Sequence, residues 1–314
     1  MSRVRALFMG TPEIARHCLE TMIKDPHFEV VGVVTQPDRP AGRRMELQPS
    51  PVKSLVAPLG IPVLTPESVN QPEILEQLAT MKAEVVVVVA FGQILRTPLL
   101  EMFPQRVVNV HASVLPRWRG AAPIQRALMA GDPETGVSLQ IMVKKLDAGP
   151  VLGIRKIPLT QETNAFELYE SCKIQGAELI SVDLMDYLRG NLSPIEQDPA
   201  LVTLAPKIEK GEAQIDWRRS AYHIHNQVRG LVMGPVAETL RDGKRLKIHR
   251  TRVLERNPKT DPGQVVQVTS NSLVIACAEG SLELLEVQPD SRARMPIIAY
   301  LRGYPIQVGD GLGR

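Results

Sequence analysis

Residues 83–111, AEVVVVVAFGQILRTPLLEMFPQRVVNVH, hold two β-branched runs on either side of a short helical pattern. The run Val85 to Val89 has no polar position, so a strand there is buried on both faces, as in a parallel sheet covered by helices. The second run, 106–110, also reads as a buried strand, with Asn109 as a polar position near its end, and leads into His111. Working outward, residues 4–9 and 29–34 repeat the pattern, and helical spacing recurs near 13–24, 51–59, 70–81 and 97–102. Strands alternating with helices in this way predict an α/β fold on a doubly wound, mostly parallel sheet. Thr11, Pro12 and Glu13 read as a helix start with a hydroxyl at the N-cap. The turn before them has one glycine, Gly10, where a dinucleotide fingerprint needs G-x-G-x-x-G, which counts against a nicotinamide or flavin dehydrogenase.

Further on, 122–130 and 165–188 have helical spacing, 138–143 and 150–157 read as strands, and a tight loop centred on Asp147 joins those strands. The polar, Pro-bearing stretch 191–199 reads as a linker. From Lys207 the texture changes to short strand-like segments at 238–240, 246–252, 263–268, 273–276 and 282–287, with one helix near 221–230 and a hairpin signal at 241–244. That spacing predicts a small β-barrel. A chain of 314 residues exceeds what one core usually serves. The expected division is a first domain over residues 1–189, a linker over 190–206 and a second domain over 207–314.

A hydrophobic fraction of 44% and a charged fraction of 23% are those of an ordinary globular protein. The three cysteines, Cys18, Cys172 and Cys277, are far apart and have no His partner at zinc-ligand spacing, so a reducing, cytoplasmic setting and no metal site are expected. The N-terminus does not read as a secretory signal, and no apolar run approaches the ~20 residues of a membrane span. Charge is uneven: residues 206–314 hold 17 Lys/Arg against 12 Asp/Glu, whereas 1–205 hold 20 against 22. A basic C-terminal part suits a polyanionic partner, or is simply a solvated surface.

Chemistry is expected where the strand ends. Side chains alternate along a strand, so Asn109 and His111 share a face and reach the same reacting atom. In open α/β sheets, ligands sit beyond the carboxyl ends of the strands. Asp147 follows a strand that can lie alongside. The three suit attack of an external amine on a carbonyl: Asn109 donates to the oxyanion, His111 donates or moves a proton, and Asp147 orients the imidazole. Taken singly, each also reads as turn chemistry.

The stretch NVHASVLPRWRGAAPI (109–124) resembles the signature of the 10-formyltetrahydrofolate-dependent formyltransferases. LFMGTP (7–12), TQPDRPAGR (35–43), PSPVK (49–53), the Leu146–Gly149 loop and KIEKGEAQIDW (207–217) are similar to those members whose acceptor is initiator methionyl-tRNA. The resemblance spans essentially the whole chain. It implies a Rossmann-like formyltransferase fold with a smaller, OB-like C-terminal barrel. It also implies transfer of a formyl group from 10-formyltetrahydrofolate, as co-substrate, to the methionine α-amino group for translation initiation, by a monomer. Asn109, His111 and Asp147 then form the catalytic set. Ser113, Val114, Leu115 and Pro116 line the folate site, and Phe91, Gly92, Ile94 and Leu95 form the wall near the pterin. The core alternative stays open for Ile94 and Leu95, because apolar residues after a buried strand usually just pack.

Between 36 and 52 a Pro-bearing loop carries Arg39, Arg43 and Arg44, in a place where βα connections usually take about 2–6 residues. The resemblance sets this loop against the acceptor end of tRNA, with Arg43 as its main contact. Arg117 and Arg119 flank Trp118, which stacks on a base or serves as a buried anchor. Lys207 and Lys210 open the basic second domain as further RNA contacts. A small amine or sugar-nucleotide acceptor would not require these features, and a formyltetrahydrofolate hydrolase would leave them idle.

Overall fold

The computed structural model describes residues 3–41, 46–255 and 259–313. They group into two compact units: residues up to 120 with 134–158 and 169–205, and residues 121–133 and 159–168 with those from 206 onward.

The first unit is built on a seven-stranded sheet in the order 151–158, 134–141, 107–111, 85–89, 4–10, 28–34, 63–64. From Val107–His111 to Val63–Leu64 all pairings are parallel, and Glu134–Ile141 runs antiparallel to both of its neighbours. Every residue of Val85–Val89 is buried, as its unbroken valine run predicts. The chain leaves Val4–Gly10 toward one edge and returns to build the other. The order therefore reverses between that strand and Val85–Val89, the place beyond whose carboxyl ends open α/β sheets generally bind their ligands. The helix Glu13–Lys24 is the predicted one, but Thr11 does not cap it. The residue before the helix is Pro12, with no side-chain cap. Thr11 Oγ1 instead donates to the Phe91 carbonyl at 3.1 Å, tying together two strand ends at the point of reversal.

In the second unit the expected small barrel takes the form of a curled antiparallel half-barrel. Its strands run in the order 238–241, 244–254, 281–289, 273–276, 265–268, with Met295–Pro296 paired to Ser281–Pro289. The helix Ala221–Leu231 lays Ile224 and Val228 into the same core as Leu246, Ile248, Ile275 and Leu284. Trp217 is buried in that core, and its indole N–H donates to Thr239 Oγ1 at 3.0 Å. The helix Pro123–Ala130, distant in sequence, belongs here too. A Cβ on Gly230 would stand 2.8 Å from Met129 Cγ, and Arg126 grips the Glu212 carboxylate at 2.5 and 2.9 Å.

His225, on Ala221–Leu231, is buried between the Gln161 carbonyl and Thr251 Oγ1, each at 2.9 Å. A carbonyl only accepts, so Nε2 carries the proton, and Nδ1 accepts from the hydroxyl. Burial lowers the pKa below the ordinary 6.5, with the Gln161 carbonyl opposing and the Arg229 charge adding to the depression. The unfolded chain then binds a proton that the folded one refuses, so stability falls as the pH drops through about 6.5. The thermal midpoint is expected to fall between about pH 7 and about pH 5, and less steeply in His225→Gln. Equal slopes for the two proteins would remove His225 from this role.

Candidate active site

The strand Val107–His111 lies between Val85–Val89 and Glu134–Ile141, with Asn109 opposite Val88 and Gln140, and His111 opposite Ser138. Both side chains therefore stand on one face at the carboxyl end. Asn109 is half-buried, and among the described residues its amide has no hydrogen-bond partner, which leaves it for a ligand. His111 is held from two sides. Its Nε2 lies 2.8 Å from the Trp118 carbonyl, and its Nδ1 lies 3.7 Å from Asp147 Oδ2, with the two side chains 7% and 9% exposed. Because Trp118 O only accepts, Nε2 must carry a proton, so Nδ1 is the nitrogen left facing the carboxylate.

Asp147 is fixed at several points. Oδ2 accepts from the Gly120 amide and Oδ1 from Gln140 Nε2, both at 2.9 Å. Its backbone has φ +48°, a left-handed conformation that Asp tolerates better than most residues. Two residues on, a Cβ on Gly149 would stand 1.8 Å from the Ile141 carbonyl, so only glycine lets this loop close on its own strand.

The predicted folate residues divide. Phe91 and Leu95 are buried in the core beneath the sheet, whereas Gly92 is exposed with φ +85° and Ile94 is 78% exposed. Ser113 is fully buried, and its hydroxyl donates to the Arg117 carbonyl at 2.6 Å, which closes the loop instead of facing a ligand. Val114 is half-buried. Leu115 and Pro116 line a cavity of about 310 Å³ together with Val151, Ile154, Ile195 and Gln197. An amide donor beside an imidazole–carboxylate pair is chemically able to polarise a carbonyl and move a proton. The three cysteine thiols are buried and desolvated up to about 12, out of the range of a reactive thiolate.

The profile of the formyl transferase family matches residues 2–183, and that of the formyl transferase C-terminal domain matches 207–305. The chain belongs to the formyl transferase family. Methionyl-tRNA formyltransferase of Bdellovibrio bacteriovorus is 53% identical to it over 317 residues, covering 100% of each chain. That of Acidithiobacillus ferrooxidans is 43% identical, covering 98% of each. An N-formyltransferase from Helicobacter canadensis, crystallised with folinic acid and dTDP-3-aminofucose, superposes with a TM-score of 0.68 at 18% identity, covering 91% of this chain and 99% of that one. The last likeness is one of fold.

Two residues of this formyl transferase were missed in the sequence. Gln140 left a signal, a polar side chain in the otherwise apolar stretch 139–142. Gln197 left none, since it lies in the polar stretch read as linker. Its Nε2 donates to the carbonyls of Asp147 and Gly149 at 2.9 and 2.7 Å, and its Oε1 accepts from Arg119 Nε and Nη2 at 3.0 and 2.7 Å. Arg119 is thus 7% exposed, with its guanidinium turned inward.

Of the other residues read as RNA contacts, Arg43 and Arg44 lie outside the described residues. Arg39 is exposed and paired with Glu67 at 3.0 Å. Arg117 is exposed, with its guanidinium 4.4 Å from the ring centroid of the half-buried Trp118. Lys207 and Lys210 are exposed. On the strand Lys244–Leu254, Arg245 and Arg252 pair with Glu238 and Glu283, which offsets part of the positive charge there.

Proposed function

We propose that the protein transfers the formyl group of 10-formyltetrahydrofolate to the α-amino group of methionine on initiator methionyl-tRNA, as a monomer in the cytoplasm. The observation that carries this reading is the buried His111–Asp147 pair beside an Asn109 amide that has no hydrogen-bond partner among the described residues. The acceptor follows from full-length relatives that bear the name methionyl-tRNA formyltransferase. The exposed apolar Ile94 and the exposed Gly92, whose lack of a side chain lets a flat ring approach the backbone, fit a partly apolar heterocycle with a few placed polar groups.

The folate co-substrate, when bound, supplies a formyl carbon attached to nitrogen, and that nitrogen leaves with a proton. Asn109 Nδ2 donates to the formyl oxygen, where negative charge gathers as the amine attacks. His111 Nδ1 takes the proton that the amine sheds, the Asp147 carboxylate steadies the resulting imidazolium, and the imidazolium then gives that proton to the leaving nitrogen as its bond to the formyl carbon breaks. The 3.7 Å separation admits this with a small rotation of the ring or one bridging water. Arg39, Arg43, Arg44, Arg117, Lys207 and Lys210 meet the RNA. Arg119, turned inward, braces the site instead.

Incubation with charged initiator tRNA and 10-formyltetrahydrofolate is expected to yield formylmethionyl-tRNA. Formate release without that product would move the reading to a hydrolase, and formylation of an amino-sugar nucleotide in preference to tRNA would move it to the small-acceptor branch. Asn109→Ala is expected to lower kcat by about 10²- to 10³-fold, the usual effect of losing one oxyanion donor. Activity within a few-fold of the parent would take Asn109 out of the reacting centre.

A further inference from the structure

We propose that Gln197 is a positioning residue for formyl transfer, holding the Asp147 loop in its working conformation through that loop's main chain. The inference rests on the reading of Asp147 given above.

The side-chain amide of Gln197 donates to the carbonyls of Asp147 and Gly149 and, at a longer 3.4 Å, to Gln140 Oε1, while its oxygen takes two N–H groups from Arg119. One side chain thereby joins the loop that carries the carboxylate to the loop that carries Trp118 and Gly120. Those loops supply the other holds on the pair, Trp118 O on His111 and Gly120 N on Asp147. An aspartate at φ +48° is a conformation that persists when its surroundings over-determine it. Of those surroundings, Gln197 holds the carbonyl, and Gln140 and Gly120 hold the carboxylate.

Gln197 does not act from an isolated position. Ile195 exchanges two backbone hydrogen bonds with Val151, at 2.8 and 2.9 Å. The Trp118 amide donates to Thr203 Oγ1, and the Arg119 amide donates to the Thr203 carbonyl, both at 2.9 Å. Leu204–Ala205 pairs in parallel with Arg119–Gly120, so closely that a Cβ on Gly120 would stand 2.6 Å from Ala205 O. Residues 195–205 are therefore the back wall of the catalytic centre. The polar composition that reads as a linker is what lets this segment bond to two loops at once.

The test compares Gln197→Met, which keeps the length but has no donor or acceptor, and Gln197→Glu, which can still accept from Arg119 but cannot donate to the two carbonyls. Both are expected to lose about 10- to 100-fold in kcat, in the range that a shift of about 1 Å in a reacting group produces. KM for folate and for tRNA stays within about twofold, since neither substrate contact is removed. A parallel Asp147→Asn variant separates the two layers of the argument. If Asp147→Asn is inactive while Gln197→Met keeps the parental kcat, the positioning role is overturned and the role of Asp147 stands. If Asp147→Asn keeps the parental kcat, the underlying reading of Asp147 fails. A parental kcat in Gln197→Glu alone would show that anchoring Arg119 is all that Gln197 does, and a rise in KM alone would make it a substrate contact; either overturns the proposal. Should Gln197→Met fold poorly, Gln197→Glu decides alone: it keeps the acceptor for Arg119 and lacks the two donors, so a parental kcat in that variant overturns the carbonyl-holding role.

Discussion

Replacing His111 with alanine is expected to lower kcat for formyl transfer by about 10²- to 10⁴-fold, the range general acid–base catalysis contributes. The geometry makes the effect local. The imidazole has one nitrogen fixed to Trp118 O and the other facing Asp147 Oδ2, so its loss removes the group that moves the proton and leaves a carboxylate with no ring to steady. The Trp118 carbonyl also loses its donor, which costs about 1–3 kcal/mol in stability if no water replaces it. His111→Gln retains a donor of similar reach, so it separates the two effects: stability near the parent, with kcat as low as in the alanine variant. Binding of charged tRNA, measured without turnover, should not change in either protein. Single-turnover rates within about tenfold of the parent would show that the proton moves by another route.

A chain ended at Ala205 is expected not to yield a soluble, active catalytic unit, although the linker and domain limits read from the sequence invite that cut. Helix Pro123–Ala130 buries Ile124, Ala127 and Leu128 and belongs to the second compact unit. It packs along Ala221–Leu231, and Arg126 reaches the carbonyls of Pro206 and Lys207 as well as Glu212. The segment 159–168 is held in the same way, with the carbonyls of Thr160 and Thr163 on Arg229 Nη1. Removing residues 206–314 exposes an apolar helix face, strips the segment 159–168 of its donors and leaves Arg126 without its acceptors. At about 1.5–3 kcal/mol for each large apolar side chain left uncovered, Ile124 and Leu128 together lose about 3–6 kcal/mol, as much as the whole stability of a marginal domain. Expression as aggregate, or a monomer lacking a cooperative thermal transition, is the expected readout. A soluble fragment with cooperative melting and parental folate binding would refute this account of the second unit.

The main elements of the first unit were legible because each is written locally. The unbroken valine run of Val85–Val89 reads as a strand covered on both faces, and strict alternation along the neighbouring run, Val107–His111, puts Asn109 and His111 on one side. Asp147 was legible through the motif around it. The expected folate residues were legible as a segment but not one by one, since Phe91 and Leu95 pack inward while Ile94 stands in solvent. Thr11 satisfies every local rule for a helix cap, yet it bonds to Phe91 instead, because a neighbouring strand end brought a carbonyl within reach.

By itself, then, the sequence determined the class of fold, the order of its main strands and helices, and the placing of Asn109 and His111 on one face of a strand end. The tertiary structure alone decided that Gln140 and Gln197 close around Asp147, that Arg119 turns inward, and that the helix at 123–130 joins the second unit. The reason is range. Periodicity records which face of an element is apolar, a property of neighbours a few residues apart. A hydrogen bond between side chains and carbonyls some fifty residues apart, such as Gln197 to Asp147, leaves no repeating trace in the chain and exists only once the elements have packed.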